Sequence, residues 1–143
     1  MPTNPLSYDE VEVGTELATL SSTITRADLV AYCGGSGDHN VIHWNQRVAQ
    51  SVGLPDVISH GMLTMARAGR VVSDWTGDPG SVVSFGVRFS RPVVVPDDDT
   101  GASLEVSGTV TDKLDDRRVA VALTATVGGE KVLMQARAVV QLR

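Results

Sequence analysis

A single cysteine, Cys33, occurs in the 143 residues. No internal disulfide can form, and a zinc site built on several thiolates is excluded. Aromatic residues make up only 4% of the chain, so a core has to be filled by Val, Leu, Ile and Ala. A basic excess is missing too: 12 Lys and Arg stand against 17 Asp and Glu, for a net charge of −5. Nonspecific nucleic-acid binding needs a basic face, so no nucleic-acid partner is expected. No uninterrupted apolar run reaches the ~20 residues of a membrane span. The opening Met1-Pro2-Thr3-Asn4-Pro5 has neither the basic nor the apolar part of a secretory signal. These absences lead to the expectation of a cytoplasmic protein with no membrane partner. Repeats, low-complexity blocks and linkers are also missing. At this length one domain over 1–143 is expected, with 1–7 mobile.

What is present is an ordered succession of hydropathy patterns. A strand is expected over 16–24. Thr25 is an N-cap candidate with Asp28 three residues on, and Leu29, Val30 and Tyr32 would form the apolar side of a helix that stops at Gly34-Gly35. A short helix is expected over 45–52, and the longest helix over 61–75. In that helix Met62, Leu63, Met65, Ala66, Ala68, Val71, Val72 and Trp75 cover most of the circumference, which suits a helix wrapped by sheet. The second half alternates as strands. Pro92 marks a bulge, edge or kink. Val119, Val121, Leu123, Ala125 and Val127 share one face, Gly128-Gly129 is a hairpin signal, and Val132, Met134, Ala136, Ala138, Val140 and Leu142 share another face. The expected class is α+β, with one curved antiparallel sheet around one long helix.

The chemistry-bearing residues concentrate in one stretch, Gly37-Asp38-His39-Asn40-Val41-Ile42-His43, followed by His60-Gly61-Met62-Leu63. Free Asp titrates near ~3.9 and free His near ~6.5, and burial draws both toward neutrality. Asp38 and His43 could therefore pass protons in opposite senses during one turnover, or simply be a bonded acid and a packed ring in a turn. Gly61 at a helix start offers an unpaired N–H along the positive dipole and lets a carbonyl approach closely; close strand–helix packing is the other reading. No metal site is expected, because no His pair stands at i, i+4 and no second acid is near. His60 is expected to satisfy a loop hydrogen bond and His39 to be exposed. Ser36 and Ser59 lack the flanking pattern of a nucleophile elbow, and Gly34-Gly35-Ser36-Gly37 lacks the lysine of a phosphate loop. Arg47, Arg67, Arg70, Arg88 and Arg91 are candidates for a phosphate patch at a pocket mouth.

Taken together, Tyr32, Ser36, Gly37, Asp38, Asn40, Ile42, His43 and Trp44, then His60-Gly61-Met62-Leu63-Thr64, then Val87-Arg88-Phe89 with Pro92-Val93, resemble the MaoC-like, or (R)-specific enoyl hydratase, family of the hot-dog superfamily. Within it, Ile42-His43-Trp44 and Gly61-Met62-Leu63-Thr64 with Trp75-Thr76-Gly77-Asp78-Pro79-Gly80 look most like the catalytic-subunit branch of heterodimeric (3R)-hydroxyacyl-carrier dehydratases. The resemblance runs through nearly the whole chain. It implies a single hot-dog domain and a hydro-lyase acting between (3R)-3-hydroxyacyl and trans-2-enoyl thioesters on acyl carrier protein or coenzyme A, within fatty-acid elongation. It also implies Asp38 and His43 as the catalytic pair, Gly61 N–H on the thioester oxygen, Asn40 holding the loop, no cofactor, and a homodimer or a heterodimer with a related hot-dog subunit. A thioesterase and a noncatalytic acyl-binding subunit are the alternatives. One departure stands out: Val41 occupies the place of a family proline.

Overall fold

The computed structural model describes residues 6–143. Of the segment expected to be mobile, 1–5 lie outside the described residues. Leu6 packs on the core, and Ser7 caps a 3₁₀ turn at Tyr8–Glu10 by accepting from Asp9 N–H.

The elements are β1 (Leu20–Ile24), α1 (Arg26–Ser36), α2 (Gln46–Ser51), α3 (Gly61–Thr76), β2 (Val82–Phe89), β3 (Ala102–Leu114), β4 (Arg118–Val127) and β5 (Glu130–Gln141). The strands form one antiparallel sheet in the order β1-β3-β4-β5-β2, and α3 packs against all five. Alternation puts Leu104, Val106 and Val110 of β3, and Val119, Val121, Leu123 and Ala125 of β4, in the core beneath the helix. Gly128 and Gly129, at φ 58° and 80°, make the two-residue β4–β5 hairpin, a turn that needs left-handed backbone at both positions. β1 starts later than expected, because Glu16 makes only an isolated bridge to Thr109.

Helix α1 begins as its sequence implies. Thr25 Oγ1 accepts from Asp28 N–H at 3.2 Å, and Asp28 Oδ2 accepts from Thr25 N–H at 2.8 Å, a capping box. That backbone N–H holds the Asp28 carboxyl below its usual value, with the Arg67 guanidinium adding to the effect. The helix does not stop at Gly34-Gly35. It runs to Ser36 and ends at Gly37, φ 77°, whose N–H reaches Cys33 O. Glycine lowers helix propensity by about 1 kcal/mol per residue, which weakens a helix but does not end one; the left-handed residue ends it. Val30 does not share the buried side of Leu29 and is 64% exposed.

Two other expectations are corrected. Helix α3 buries Leu63, Thr64, Ala68, Val71 and Val72, whereas Met62 and Ala66 lie on a solvent-facing side with Arg70 and Asp74. In β5 the regular face breaks at Gln135, which adopts φ 49°. The register slips there, from Leu123↔Ala136 to Ala125↔Leu133. This bulge turns Met134 outward and Leu133 inward.

What positions the site is the joint between 57–59 and 93–95. Val95 N–H donates to Val57 O at 3.0 Å and Ser59 N–H to Val93 O at 2.8 Å. Pro92 lies outside the strands, just past the end of β2, and Val93 and Val95 are buried. This strap fixes residues 58–61 at the entrance to α3. Among the described residues, no helix is long and apolar enough to cross a membrane.

Candidate active site

The loop after α1 is built from side chains that cap backbone. Ser36 Oγ donates to Tyr32 O at 2.6 Å and accepts from Asp38 N–H at 3.1 Å. Asp38 Oδ1 accepts from Asn40 N–H at 3.1 Å, and Asn40 Oδ1 accepts from Ile42 N–H at 3.3 Å. Asn40 thereby caps a 3₁₀ turn, Val41–His43. Such Asx turns fix a loop without a core beneath it. One carboxylate oxygen of Asp38 is thus committed to the loop, and the other lies 3.8 Å from His43 Nε2.

His43 is aimed by its other nitrogen. Nδ1 lies 2.7 Å from the Ile58 carbonyl. A carbonyl only accepts, so Nδ1 carries the hydrogen and donates it, and in the neutral ring Nε2 presents its lone pair toward Asp38. The imidazole is 8% exposed and the Asp38 side chain 52%. The pair therefore joins a buried base to an acid in contact with solvent. At 3.8 Å they make no direct hydrogen bond, a spacing that one reacting group can bridge.

Gly61 is the first residue of α3 and follows His60, whose ring stacks on His43 at 3.7 Å between centroids. Its N–H is one of the helix's unpaired donors. A Cβ at this position would stand 3.0 Å from the Phe89 ring, so the close strand–helix packing reading also holds. Gly61 lines a cleft of about 310 Å³ with Ile58, Ser59, Thr64, Phe89 and Leu133. Asp38 and His43 do not line that cleft themselves. They adjoin it through Ile58, which accepts from His43 and forms part of the wall.

The remaining candidates separate cleanly. His60 is buried, and its Nε2–H donates to Asp38 O at 3.1 Å, the loop hydrogen bond expected of it. Burial pushes His60 below the usual 6.5, the bond to Asp38 opposes that, and His43 adds to the lowering. His39 is exposed, with Nδ1 3.1 Å from Gly37 O. Ser59 is buried in hydroxyl contacts with Thr64 and the His60 carbonyl. The arginines form no common patch. Arg67 pairs with Asp28 and Arg70 with Asp74, Arg47 and Arg88 are exposed elsewhere, and only Arg91 lines the cleft with Gly61.

Asp38, His43 and His60 also bring ligand-type atoms within 4.8 Å of one another. Their geometry suits a metal poorly. The two rings are stacked with 22° between planes, so their in-plane lone pairs run alongside each other instead of converging at the ~2 Å a tetrahedral ion requires. His43 Nδ1 and His60 Nε2 are already spent as donors to carbonyls.

Sequence reasoning missed two contributors: the Ile58 carbonyl that sets the His43 tautomer, and Cys33, whose Sγ lies 3.6 Å from His60 Nε2. Neither carries a local pattern; both are brought in by tertiary packing.

The backbone geometry at Asn40, φ −55° and ψ 127°, is what a residue before proline adopts. Val41 opens the 3₁₀ turn, and its N–H donates to no acceptor among the described residues. Val41→Pro is therefore expected to raise stability by about 0.5 kcal/mol through the unfolded state, measured as a higher urea midpoint at unchanged slope.

A long helix laid on a five-stranded antiparallel sheet is the hot-dog architecture, and here a carboxylate and an imidazole stand near the helix entrance. The chain matches the family described as MaoC like domain over residues 10–129, and it belongs to that family. It is 31% identical over 136 residues to the (R)-specific enoyl-CoA hydratase of Rhodospirillum rubrum, covering 94% of this chain and 90% of that protein. Among solved structures it is similar to a MaoC-like dehydratase (TM-score 0.93, 40% identity), covering 97% of this chain but only 43% of that one. It is also similar to the R-hydratase PhaJ1 from Pseudomonas aeruginosa (TM-score 0.82, 29% identity), covering 96% of this chain and 86% of that one.

Proposed function

We propose that this chain is a hydro-lyase that interconverts (3R)-3-hydroxyacyl and trans-2-enoyl thioesters, and that Asp38, His43 and Gly61 carry the reaction. The observation behind this reading is the His43 Nε2 lone pair facing the free oxygen of Asp38 at 3.8 Å, with the first residue of α3 following the His60 ring that stacks on His43. In hydration, water attacks C3 as its proton passes to His43 Nε2. The C2–C3 π pair shifts to form a C1–C2 double bond and the carbonyl π pair moves onto the thioester oxygen, where the Gly61 N–H meets the growing charge, an effect worth roughly 3 kcal/mol for a well-placed donor. Asp38, protonated, then delivers its proton to C2 as the carbonyl re-forms. Transfer from His43 back to Asp38 restores both groups, and dehydration is the reverse path. Asn40 keeps Asp38 aimed throughout. The name of the R. rubrum relative, an (R)-specific enoyl-CoA hydratase, supports the same substrate class, and this reading assigns the chain to fatty-acid elongation.

The test is to follow loss of enoyl conjugation with crotonyl and longer enoyl thioesters, using the protein alone and beside a related hot-dog subunit. Release of free thiol without hydration would make it a thioesterase instead. Binding without turnover would make it an acyl-binding subunit.

Pairing with a second hot-dog subunit, identical or related, belongs to this reading. β2 is an edge strand, and an open edge has unpaired backbone groups to cover. Val83 and Phe89 on that strand, and Met134 on its neighbour β5, are exposed apolar side chains. Sedimentation showing an active monomer would refute the pairing.

The carrier is read from Arg91, the one charged side chain lining the cleft. Its exposed pairing with Glu130 at 2.9 Å is worth little and yields readily to a phosphate. Arg91→Gln is expected to raise KM severalfold for enoyl thioesters on a phosphopantetheine arm. A phosphate-free N-acetylcysteamine thioester should be unaffected.

A further inference from the structure

Outside the proton-carrying pair, the site holds one buried titratable ring whose contacts exceed what packing requires. His60 is 2% exposed. One face stacks on His43, with centroids 3.7 Å apart and 22° between planes, and Tyr32 packs tilted at 4.7 Å. One edge points Nε2–H at the Asp38 carbonyl, 3.1 Å away. The opposite edge leaves Nδ1 buried with no hydrogen-bond partner among the described residues. A buried acceptor left unmet is costly and asks for a reason. The ring could not turn to satisfy it without giving up either Asp38 or the stack.

We propose that His60 is a positioning residue of the reaction: an uncharged imidazole that fixes the main chain of Asp38 with one edge and the plane of His43 with one face. The proposal rests on the hydro-lyase reading above. With Nε2 protonated and Nδ1 bare, the ring is neutral; a second proton would create a buried N–H with nothing to accept it. The titratable groups facing it are Tyr32 and Cys33 from α1, Asp38 from the loop and His43 from the 3₁₀ turn. When His43 takes the proton from water, its new charge therefore meets a neutral π face and not a second cation. Rotation of His43 about its Nδ1–H···O bond to Ile58 is also blocked, so Nε2 stays on line with Asp38. Catalysis of this kind is lost when a group drifts by an ångström.

The experiment separates the two contacts. His60→Gln keeps an N–H for the Asp38 carbonyl but removes the stacked ring; His60→Phe keeps a stacked ring and removes both the donor and the unmet acceptor. Each is purified, checked for folding by circular dichroism and melting, and assayed with crotonyl-CoA across pH. Both are expected to lower kcat by roughly tenfold or more with KM changed less than threefold. The limb of the pH profile that reports His43 should move in His60→Gln and stay in place in His60→Phe. Should one variant fail to fold, the other carries the kinetic test. Folded variants with kcat within twofold of the parent and superimposable pH profiles would overturn the proposal, as would losses that follow only the folded fraction. Imidazole NMR keeps the two readings apart: it reports whether the His43 Nδ1 proton stays protected from exchange. If the parent protein hydrates neither crotonyl-CoA nor longer enoyl thioesters, alone or beside a related hot-dog subunit, the hydro-lyase reading fails. The positioning role then stands if the Nδ1 proton is protected in the parent and loses protection in His60→Gln, and falls if the two proteins match.

Discussion

Asp38→Asn is expected to lower kcat for enoyl hydration by roughly 10²–10⁴-fold, the range for losing a positioned acid–base group, with stability nearly unchanged. The structure explains why this substitution is the informative one. Asp38 Oδ1 accepts from Asn40 N–H, and an asparagine oxygen does the same, so the Asx turn survives. The side chain is more than half exposed, so no buried space is lost. Only the oxygen facing His43 changes. His43→Ala should cost as much activity, but it also removes a buried ring from the stack with His60 and leaves the Ile58 carbonyl without its donor. Its loss of stability has to be measured alongside. The double variant should be little worse than either single one, because the two groups act as a unit. Near-parent activity in Asp38→Asn would remove the proposed mechanism.

Gly61→Pro tests the other half of the site. Proline at the first position of a helix is tolerated, because the N–H it lacks has no partner within the helix. His60, at φ −57° and ψ 133°, already has the conformation of a residue that precedes proline. The substitution therefore removes the donor without breaking a helix bond, while adding a ring whose Cβ meets Phe89. A drop of roughly 10²–10³ in kcat is expected if that N–H stabilises the thioester oxygen. Gly61→Ala is the control. Its Cβ would stand 3.0 Å from the Phe89 ring, which is 52% exposed and able to give way. Alanine should thus cost far less than proline in turnover measured at saturating substrate. Equal losses in both would mean that crowding, and not the missing N–H, is responsible.

The parts of this molecule legible in its residues are those governed by local rules. Thr25 with Asp28, the Gly128-Gly129 turn and the alternation of β3 and β4 all act within a few residues, and the structure has each of them where the pattern indicates. The parts that were not legible depend on partners far along the chain. Nothing near Gln135 marks a bulge; it becomes necessary only because β5 must pair with β4 on one side and β2 on the other. Gly34-Gly35 reads as a stop, yet the helix continues to Gly37, whose N–H closes onto Cys33 O, and Ser36 Oγ closes onto Tyr32 O. Helix α3 carries apolar residues nearly all round, and the sheet of this chain covers only part of them.

The site divides the same way. Asp38, His43, Asn40 and Gly61 stand out through their spacing and through resemblance. The His43 ring also bonds to the Ile58 carbonyl and the Asp38 carbonyl to the His60 ring, partners fifteen and seventeen residues beyond His43 in the chain, and no local spacing rule pairs them.

Cys33 has a practical consequence. It is the chain's one thiol, 5% exposed and in contact with His60, which stacks on His43. Labelling by a thiol reagent should follow a single slow phase set by how often α1 lifts away from the entrance to α3. Saturation with an unreactive acyl thioester should slow that phase further, so one sulfur becomes a clock for opening of the site.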